Sequence, residues 1–492
     1  MTARALCALA AALALARPAA SQHVRFENVA VVDLDAGRTV PGQTVVVADG
    51  RIVAVGAAGA APAGAAGARV VDARGLFLMP GLVDMHAHLA VPPGPDDGPP
   101  IFLESDRETL ARYLAAGVTT IRNLWGSPSA LAARRRVASG VWAGPRVVTA
   151  GPLVDARAAS QQGTPFQVTE LARRPTTIRI GTPADAREAV RYHAAAGYDL
   201  VKVYNGVPAP AFEALAETAA AFGLPVAGHV PVAVGLAGVL ARPGPSLQSV
   251  EHAVSFVDAA VSPGAALPDD FLAAELARYT AADTVRVAVW AQAAAARGTA
   301  VVPTLGLLAR TYGAREDHAA LLASIDGAPA SKRQRARWRA TAERHAGRLD
   351  GFAANGLDGD ALGRAPLAAG LALTRALHAA GAPILLGTDA PAALAAPGDA
   401  VAAELGLLVR AGLAPLDALR AATTAPHSWL RANGLGDARG RVAAGEPADL
   451  LLLRADPLRD VAAVGGVEGV VRGGVYRDRA ALDALLEAVA AE

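Results

Sequence analysis

Two histidines two residues apart, His86 and His88, close the run Met79-Pro80-Gly81-Leu82-Val83-Asp84-Met85-His86-Ala87-His88-Leu89. On a strand, positions i and i+2 share a face, so both imidazoles project side by side and suit a transition metal. Further along, Lys202 interrupts the apolar stretch Leu200-Val201-Lys202-Val203-Tyr204. A charged amine is costly to bury there. Lys202 therefore either pairs with a carboxylate such as Asp199 or serves as a neutral amine able to add carbon dioxide. His229 in Gly228-His229-Val230-Pro231, His252 in Val250-Glu251-His252 and Asp389 in Gly387-Thr388-Asp389-Ala390 follow further apolar segments. Singly, each histidine is as apt to be structural as functional. Jointly, four histidines, a lysine and an aspartate at segment ends are hard to explain as packing.

These residues need elements to hold them. Strand patterns at 78–89, 119–124, 146–150, 200–204, 225–229, 248–252, 300–304 and 384–389 alternate with Ala-rich helical stretches, for instance 107–116, 183–196, 210–222 and 367–380. Eight strands alternating with helices predict an α/β fold, a (β/α)8 TIM barrel, in which chemistry gathers at the C-terminal strand ends. Short strands separated by Gly- and Asp-bearing turns also occur at 24–73 and again at 441–476. Both termini then share a small β-sandwich that encloses the barrel. The expected division is 1–21 as a signal peptide, 22–77 as the N-terminal portion of the β-sandwich, 78–432 as barrel, and 433–492 as the C-terminal portion of the β-sandwich with a tail. Two insertions interrupt the alternation. One, 155–182, is polar and reads as a loop at the catalytic mouth; the other, 305–364, carries the basic run 331–339, read as the solvated face of an inserted helix.

Bulk properties narrow the function. Lys+Arg 46 against Asp+Glu 45 provides no electrostatic case for nucleic acid. Met1-Thr2-Ala3-Arg4, an apolar core at 5–16 and Pro18-Ala19-Ala20-Ser21 read as an export signal, too short to be a stable membrane anchor. The expected location is outside the cytoplasm, periplasmic or secreted. The single cysteine, Cys7, lies within that signal. A mature chain has no thiol, so metal ligands must come from His, carboxylate and Lys.

His-x-His after Pro-Gly-Leu-Val-Asp, the Val-Lys-Val strand, Gly-His-Val-Pro, Val-Glu-His and Gly-Thr-Asp-Ala together resemble the amidohydrolase superfamily, in its imidazolonepropionase-like and prolidase-like branch. The resemblance runs from about Val24 to about Tyr476. It implies a binuclear centre of two divalent ions, zinc by default. His86, His88 and Asp389 would hold the buried ion and His229 and His252 the exposed one, with a carbamate on Lys202 as bridge. A metal-bridging hydroxide would attack the scissile carbonyl, and Asp389 would move the proton to the leaving nitrogen. Tyr204, two residues past Lys202, is a candidate substrate contact. Relatives carry aspartate where Asn123 stands and often histidine where Ala402 stands. His23, His193, His318, His345, His378 and His427 match no motif and read as surface or helix residues.

The reading is an exported hydrolase of C–N bonds in a small-molecule substrate: a dipeptide, as a dipeptidase or prolidase-like enzyme would take, an N-acyl amino acid or a related amide. The alternative keeps the metals but changes the bond, to an esterase, lactonase or organophosphate hydrolase. A non-catalytic scaffold predicts ligand loss, which the sequence does not show. The sequence is compatible with a homo-oligomer and does not specify one.

Overall fold

The computed structural model describes residues 23–57, 67–89, 102–156, 177–244, 246–268, 271–325, 332–354, 356–391 and 395–490. The expected signal at 1–21, with Cys7, lies outside them, as does 157–176 of the first insertion.

The chain opens with β1 (Val24–Asp33), β2 (Arg38–Ala48), β3 (Arg51–Ala57), β4 (Arg69–Asp72) and β5 (Phe77–Pro80). β1 buries Val24, Phe26 and Val29 completely, as β-branched and aromatic residues on one sheet face do. The β1–β2 turn forms because Asp33 Oδ1 accepts from the backbone N–H of Asp35 and Ala36, and Gly37 takes φ +64°. β6 (Leu82–Ala87), β7 (Val118–Asn123) and β8 (Arg146–Thr149) form a parallel three-stranded sheet. β9 (Leu153–Ala156), β10 (Thr177–Ile180), β11 (Val201–Val203), β12 (Val226–Gly228), β13 (Ser249–Glu251) and β14 (Ala300–Val302) form a parallel six-stranded one, ordered β10-β9-β11-β12-β13-β14. Last come β15 (Leu450–Leu453), β16 (Val467–Arg472) and β17 (Val475–Asp478), which join the first strands in one mixed sheet ordered β17-β16-β15-β5-β1-β2-β3, with β4 on β1. Both ends of the chain thus share a sheet, as expected.

Three differences from the sequence reading have physical causes. The single strand expected over 78–89 is two, β5 in the mixed sheet and β6 in a parallel one. The chain breaks at Gly81, where a Cβ would lie 2.3 Å from the Thr119 side chain and only glycine fits. Segment 384–389 forms no regular strand. It is held by parallel bridges from Val301 to Ile384 and from Ala87 to Ala390, and it turns aside at Asp389, φ +59°. The insertion expected as a loop over 155–182 forms strands at its described ends, β9 and β10 pairing from Thr177 on Leu153 to Ile180 on Ala156. Leu153, Ile178 and Ile180 are buried, and the polar stretch between the two strands concealed their pairing in the sequence. The second insertion is helical: Leu305–Thr311, Arg315–Ile325 and Lys332–Ala354, the last containing most of the basic run.

Helix Pro183–Ala196 starts in a capping box between Thr182 and Asp185 and ends at Gly197 in the left-handed region. Its His193 is fully buried rather than superficial, and burial pushes the ring down to about 3 from the ordinary 6.5. His427, also buried, is pushed down to about 4. Both stay neutral when folded and take up protons once unfolded. The stability they permit is complete above pH 6.5 and drains away as pH falls toward 3. For His193 alone the loss amounts to about 2 kcal/mol by pH 5. Urea unfolding across this range should show it, with a smaller pH slope for His193→Gln; an unchanged slope would remove His193 as the cause.

Candidate metal centre

His86 and His88 leave the same face of β6, as the two-residue period requires. Both Nε2 atoms converge on one oxygen, Asp389 Oδ1, at 3.2 Å and 2.6 Å. Asp389 reaches them because the chain crosses the end of β6, with the Asp389 N–H donating to the His86 carbonyl at 2.7 Å. Ligand atoms of the three residues lie within 4.8 Å of one another. Strain marks the strand ends. His252, Thr304 and Asp389 take φ of +66°, +48° and +59°, a region that residues with side chains seldom occupy outside functional sites.

The remaining residues close around this trio. His252, after β13, stacks 4.6 Å from His86, and His229, after β12, sits 4.8 Å from His252. Tyr204 lies over His229 at 4.1 Å between ring centroids and is half-buried. Gly228 lets β12 approach β11, since a Cβ there would lie 2.2 Å from the Val203 carbonyl oxygen. Lys202, on β11, is 1% exposed and close enough to the histidines and Asp389 to shift their ionisation. Asp199 does not pair with it; that carboxylate accepts from Arg134 and the Thr149 N–H.

Hydrogen bonds fix the imidazoles for ligation. The Thr304 hydroxyl donates to the Pro303 carbonyl, so it accepts from His252 Nδ1–H at 2.7 Å, leaving the Nε2 lone pair free. His86 Nδ1 donates to Glu251 at 2.8 Å, and His229 Nδ1 to Asn205 Oδ1 at 2.9 Å. The His86 Nε2 lone pair therefore faces a carboxylate oxygen, an arrangement that needs a proton or cation between them. Among the described residues, buried His88 Nδ1 has no hydrogen-bond partner. Two imidazole nitrogens and a carboxylate fit zinc or a similar divalent ion.

The Amidohydrolase family profile matches residues 77–476. The chain belongs to the amidohydrolase family. It is a hydrolase acting on carbon–nitrogen bonds, as the strand-end motifs suggested. Among solved structures, a bottromycin amidohydrolase is 28% identical, with 95% of this chain and 90% of that one aligned at a TM-score of 0.67. A Xaa-Pro dipeptidase with bound methionine is 19% identical, covering 93% and 100%, TM-score 0.60. The ochratoxinase of A. niger is 20% identical, covering 93% and 96%, TM-score 0.62. No curated protein sequence matches the chain.

Electrostatics in this amidohydrolase favour metal-ready ligands. Burial holds His252 down at about 3, and burial with Lys202 beside it holds His229 well below its ordinary value. Both are neutral, the form that binds metals. Burial works to raise the Asp389 carboxyl, but His86 and His88 outweigh it and keep it well below the usual range. Burial also brings the Lys202 amine down to about 8.

One layer further out sits a group that sequence reasoning did not assign. Fully buried Arg122, on β7, donates to the Met85 carbonyl, to Ser249 Oγ and to Glu251 Oε1 at 2.6, 2.8 and 2.7 Å, and its guanidinium rests 4.6 Å from the Trp429 ring centroid. Glu251 is thereby kept ionised despite burial, and it orients the His86 ring. The available signal was the two-residue period of β13, which puts Ser249 and Glu251 on the face opposite Val250. Arg122→Leu leaves Glu251 buried with its cation gone, so stability should fall by about 3–5 kcal/mol. A urea midpoint shift corresponding to less than about 1 kcal/mol would mean solvent already reaches the pair.

Asn123 and the helix that carries Ala402 both make buried hydrogen bonds near the site. Asn123 Nδ2 donates to Thr149 Oγ1 at 2.9 Å, and its Oδ1 accepts from the N–H groups of Leu89 and Trp125. On helix Asp399–Arg410, which carries Ala402, Glu404 accepts from the N–H of Leu305 and Gly306, both at 2.7 Å, and so anchors the backbone just after Thr304.

Proposed function

We propose that this amidohydrolase is an exported, binuclear-metal enzyme that cleaves the amide of a dipeptide or N-acyl amino acid. The observation that carries the reading is the convergence of His86, His88 and Asp389, with His252, His229 and Lys202 alongside. A closed eight-stranded barrel behind it is supported by three parallel bridges. Ala150 to Leu200 links β8 to β11, Val301 to Ile384 links β14 to the 384–390 segment, and Ala87 to Ala390 returns to β6. Export rests on the leader-like 1–21, and among the described residues no helix is long and apolar enough to cross a membrane.

His86, His88 and Asp389 would hold one ion, His229 and His252 the other, with carboxylated Lys202 between. Divalent ions there supply water activation and polarisation of the scissile carbonyl. The chain's own residues do the rest. Asp389 Oδ1 is engaged by both histidines, which leaves Oδ2 to take the proton of the attacking water and deliver it to the leaving nitrogen. Neutral Lys202 amine, present in quantity near its lowered pKa of about 8, is the form that adds carbon dioxide. Tyr204, beside His229, is placed to donate to a substrate carbonyl or carboxylate. The similar structures named as a bottromycin amidohydrolase and a Xaa-Pro dipeptidase support an amide over an ester.

Elemental analysis of protein purified with metal and bicarbonate, run beside dipeptide, N-acyl amino acid, ester and lactone substrates, tests this. About two metals per chain with amide cleavage is the expected result. Two metals with turnover of esters or lactones alone would replace the amide reading, and absence of metal would refute the centre.

A further inference from the structure

Helix Leu305–Thr311 starts two residues after β14, and its first amides need an acceptor. Thr304 is placed to supply one, since a threonine before a helix ordinarily turns its hydroxyl onto those amides. Here it does not. Thr304 makes no side-chain cap and stands at φ +48°, a region hard for a β-branched residue to occupy. Its hydroxyl is committed elsewhere, donating to the Pro303 carbonyl and accepting from His252 Nδ1.

The missing cap comes from a residue 99 positions further along. Glu404, 1% exposed on helix Asp399–Arg410, accepts from the Leu305 N–H through Oε1 and from the Gly306 N–H through Oε2, each at 2.7 Å. One oxygen per amide fixes both the position and the tilt of the helix start. Burial still pushes this carboxyl up to about 7, against the pull of those bonds and of nearby Arg310. A buried charge so incompletely compensated adds little stability. What it supplies is placement.

That placement bears on one ligand above the others. Both anchors of His252 lie in the three residues before the helix: its N–H donates to the Val302 carbonyl at 2.8 Å and its Nδ1–H to Thr304. Asp389 has supports of its own. Its N–H donates to the His86 carbonyl, and Asp84 accepts from the N–H and hydroxyl of Thr388 at 3.1 and 2.6 Å. The helix reaches that side through one longer bond, from Arg310 Nη2 to the Thr388 carbonyl at 3.3 Å. His229 is held separately, by Asn205.

We propose that Glu404 is a positioning residue for the exposed ion: it caps helix Leu305–Thr311 in place of Thr304, and so leaves the Thr304 hydroxyl to hold His252 as a ligand. The statement about the ion rests on the binuclear reading; the statement about the His252 ring does not.

The test reads ring and ion separately. In metal-free full-length protein carrying ¹⁵N-histidine, the His252 ring, assigned by its absence from His252→Gln, should be the Nδ1–H tautomer. Glu404→Gln leaves one of the two amides without an acceptor and should turn that signal into a mixture of tautomers, as should Thr304→Val. Metal-loaded protein dialysed against graded chelator should lose one of its two ions at a tenfold lower chelator concentration in either variant. The other ion should stay within threefold of wild type, and the double variant should be no worse than Thr304→Val alone. Glu404→Asp draws the oxygens back by one methylene; it should show the same change in smaller degree, and it keeps the test open if Glu404→Gln folds poorly. An unchanged His252 ring in the Glu404 variants would overturn the proposal. So would equal weakening of both ions or additive losses in the double variant, which would make Glu404 a support of the fold at large. A wild-type protein binding fewer than two ions would sink the binuclear reading, and the tautomer would still decide the role of Glu404.

Discussion

Lys202→Ala should lose bound metal and turnover together. The amine is buried on β11, beside β12, and close enough to Asp389 and the histidines to shift their ionisation. Removing the bridge is expected to take metal content well below two per chain. The activation it supported, several kcal/mol in metal-dependent hydrolysis, corresponds to about a thousandfold loss of kcat/KM. A second measurement separates a carbamate from a plain lysine. Wild-type protein loaded in ¹³C-bicarbonate should show a carbonyl resonance that Lys202→Ala lacks. A variant that keeps two metals, or a wild-type protein without that resonance under saturating bicarbonate, would sink the bridge.

How much of this was legible beforehand depended on the range of the interaction. The two-residue period of a strand is local, so His86 and His88 could be placed on one face from sequence, and the structure brings both to Asp389. Strand-end positions for His229 and His252 followed from where apolar runs stop, and Lys202 stood out because it lies inside one. What escaped was set by contacts between distant segments. Gly81 breaks a run that looks continuous because Thr119 stands where a side chain would go. Asp389 enters the site through a positive φ that no local pattern announces. Glu251 lay in plain view beside His252, but its partner Arg122 is 129 residues away in sequence. His193 read as an ordinary residue of an Ala-rich helix, since burial of one helix face against Gly151 is a tertiary fact.

The layers also explain why the ligands can be neutral and the carboxylates charged in one dry space. Arg122 supplies a permanent cation on the far side of Glu251 from His86, and it holds Glu251 ionised; Glu251 in turn accepts the Nδ1–H of His86. His252 and His229 donate their Nδ1–H to neutral oxygens, those of Thr304 and Asn205. Every ring except His88 is thus polarised outward from the centre, with its second nitrogen directed in. An ordinary buried packing cluster has no reason to align in this way.

Asp389→Asn is the sharpest division between holding a metal and moving a proton. The amide keeps an oxygen where His86 and His88 converge, so metal content should stay within reach of wild type. It cannot act as a base at Oδ2, and kcat should fall by about a thousandfold, within the range of a positioned general base, or roughly 4 kcal/mol of barrier. KM should move less than threefold, because the proton transfer belongs to the transition state and not to binding. If kcat stays within tenfold of wild type, another group carries the proton. If kcat collapses but metal is lost with it, Asp389 acts as a ligand first, and the base must be sought elsewhere. The expected outcome, metal retained and turnover lost, would assign both tasks to one carboxylate, one to each oxygen.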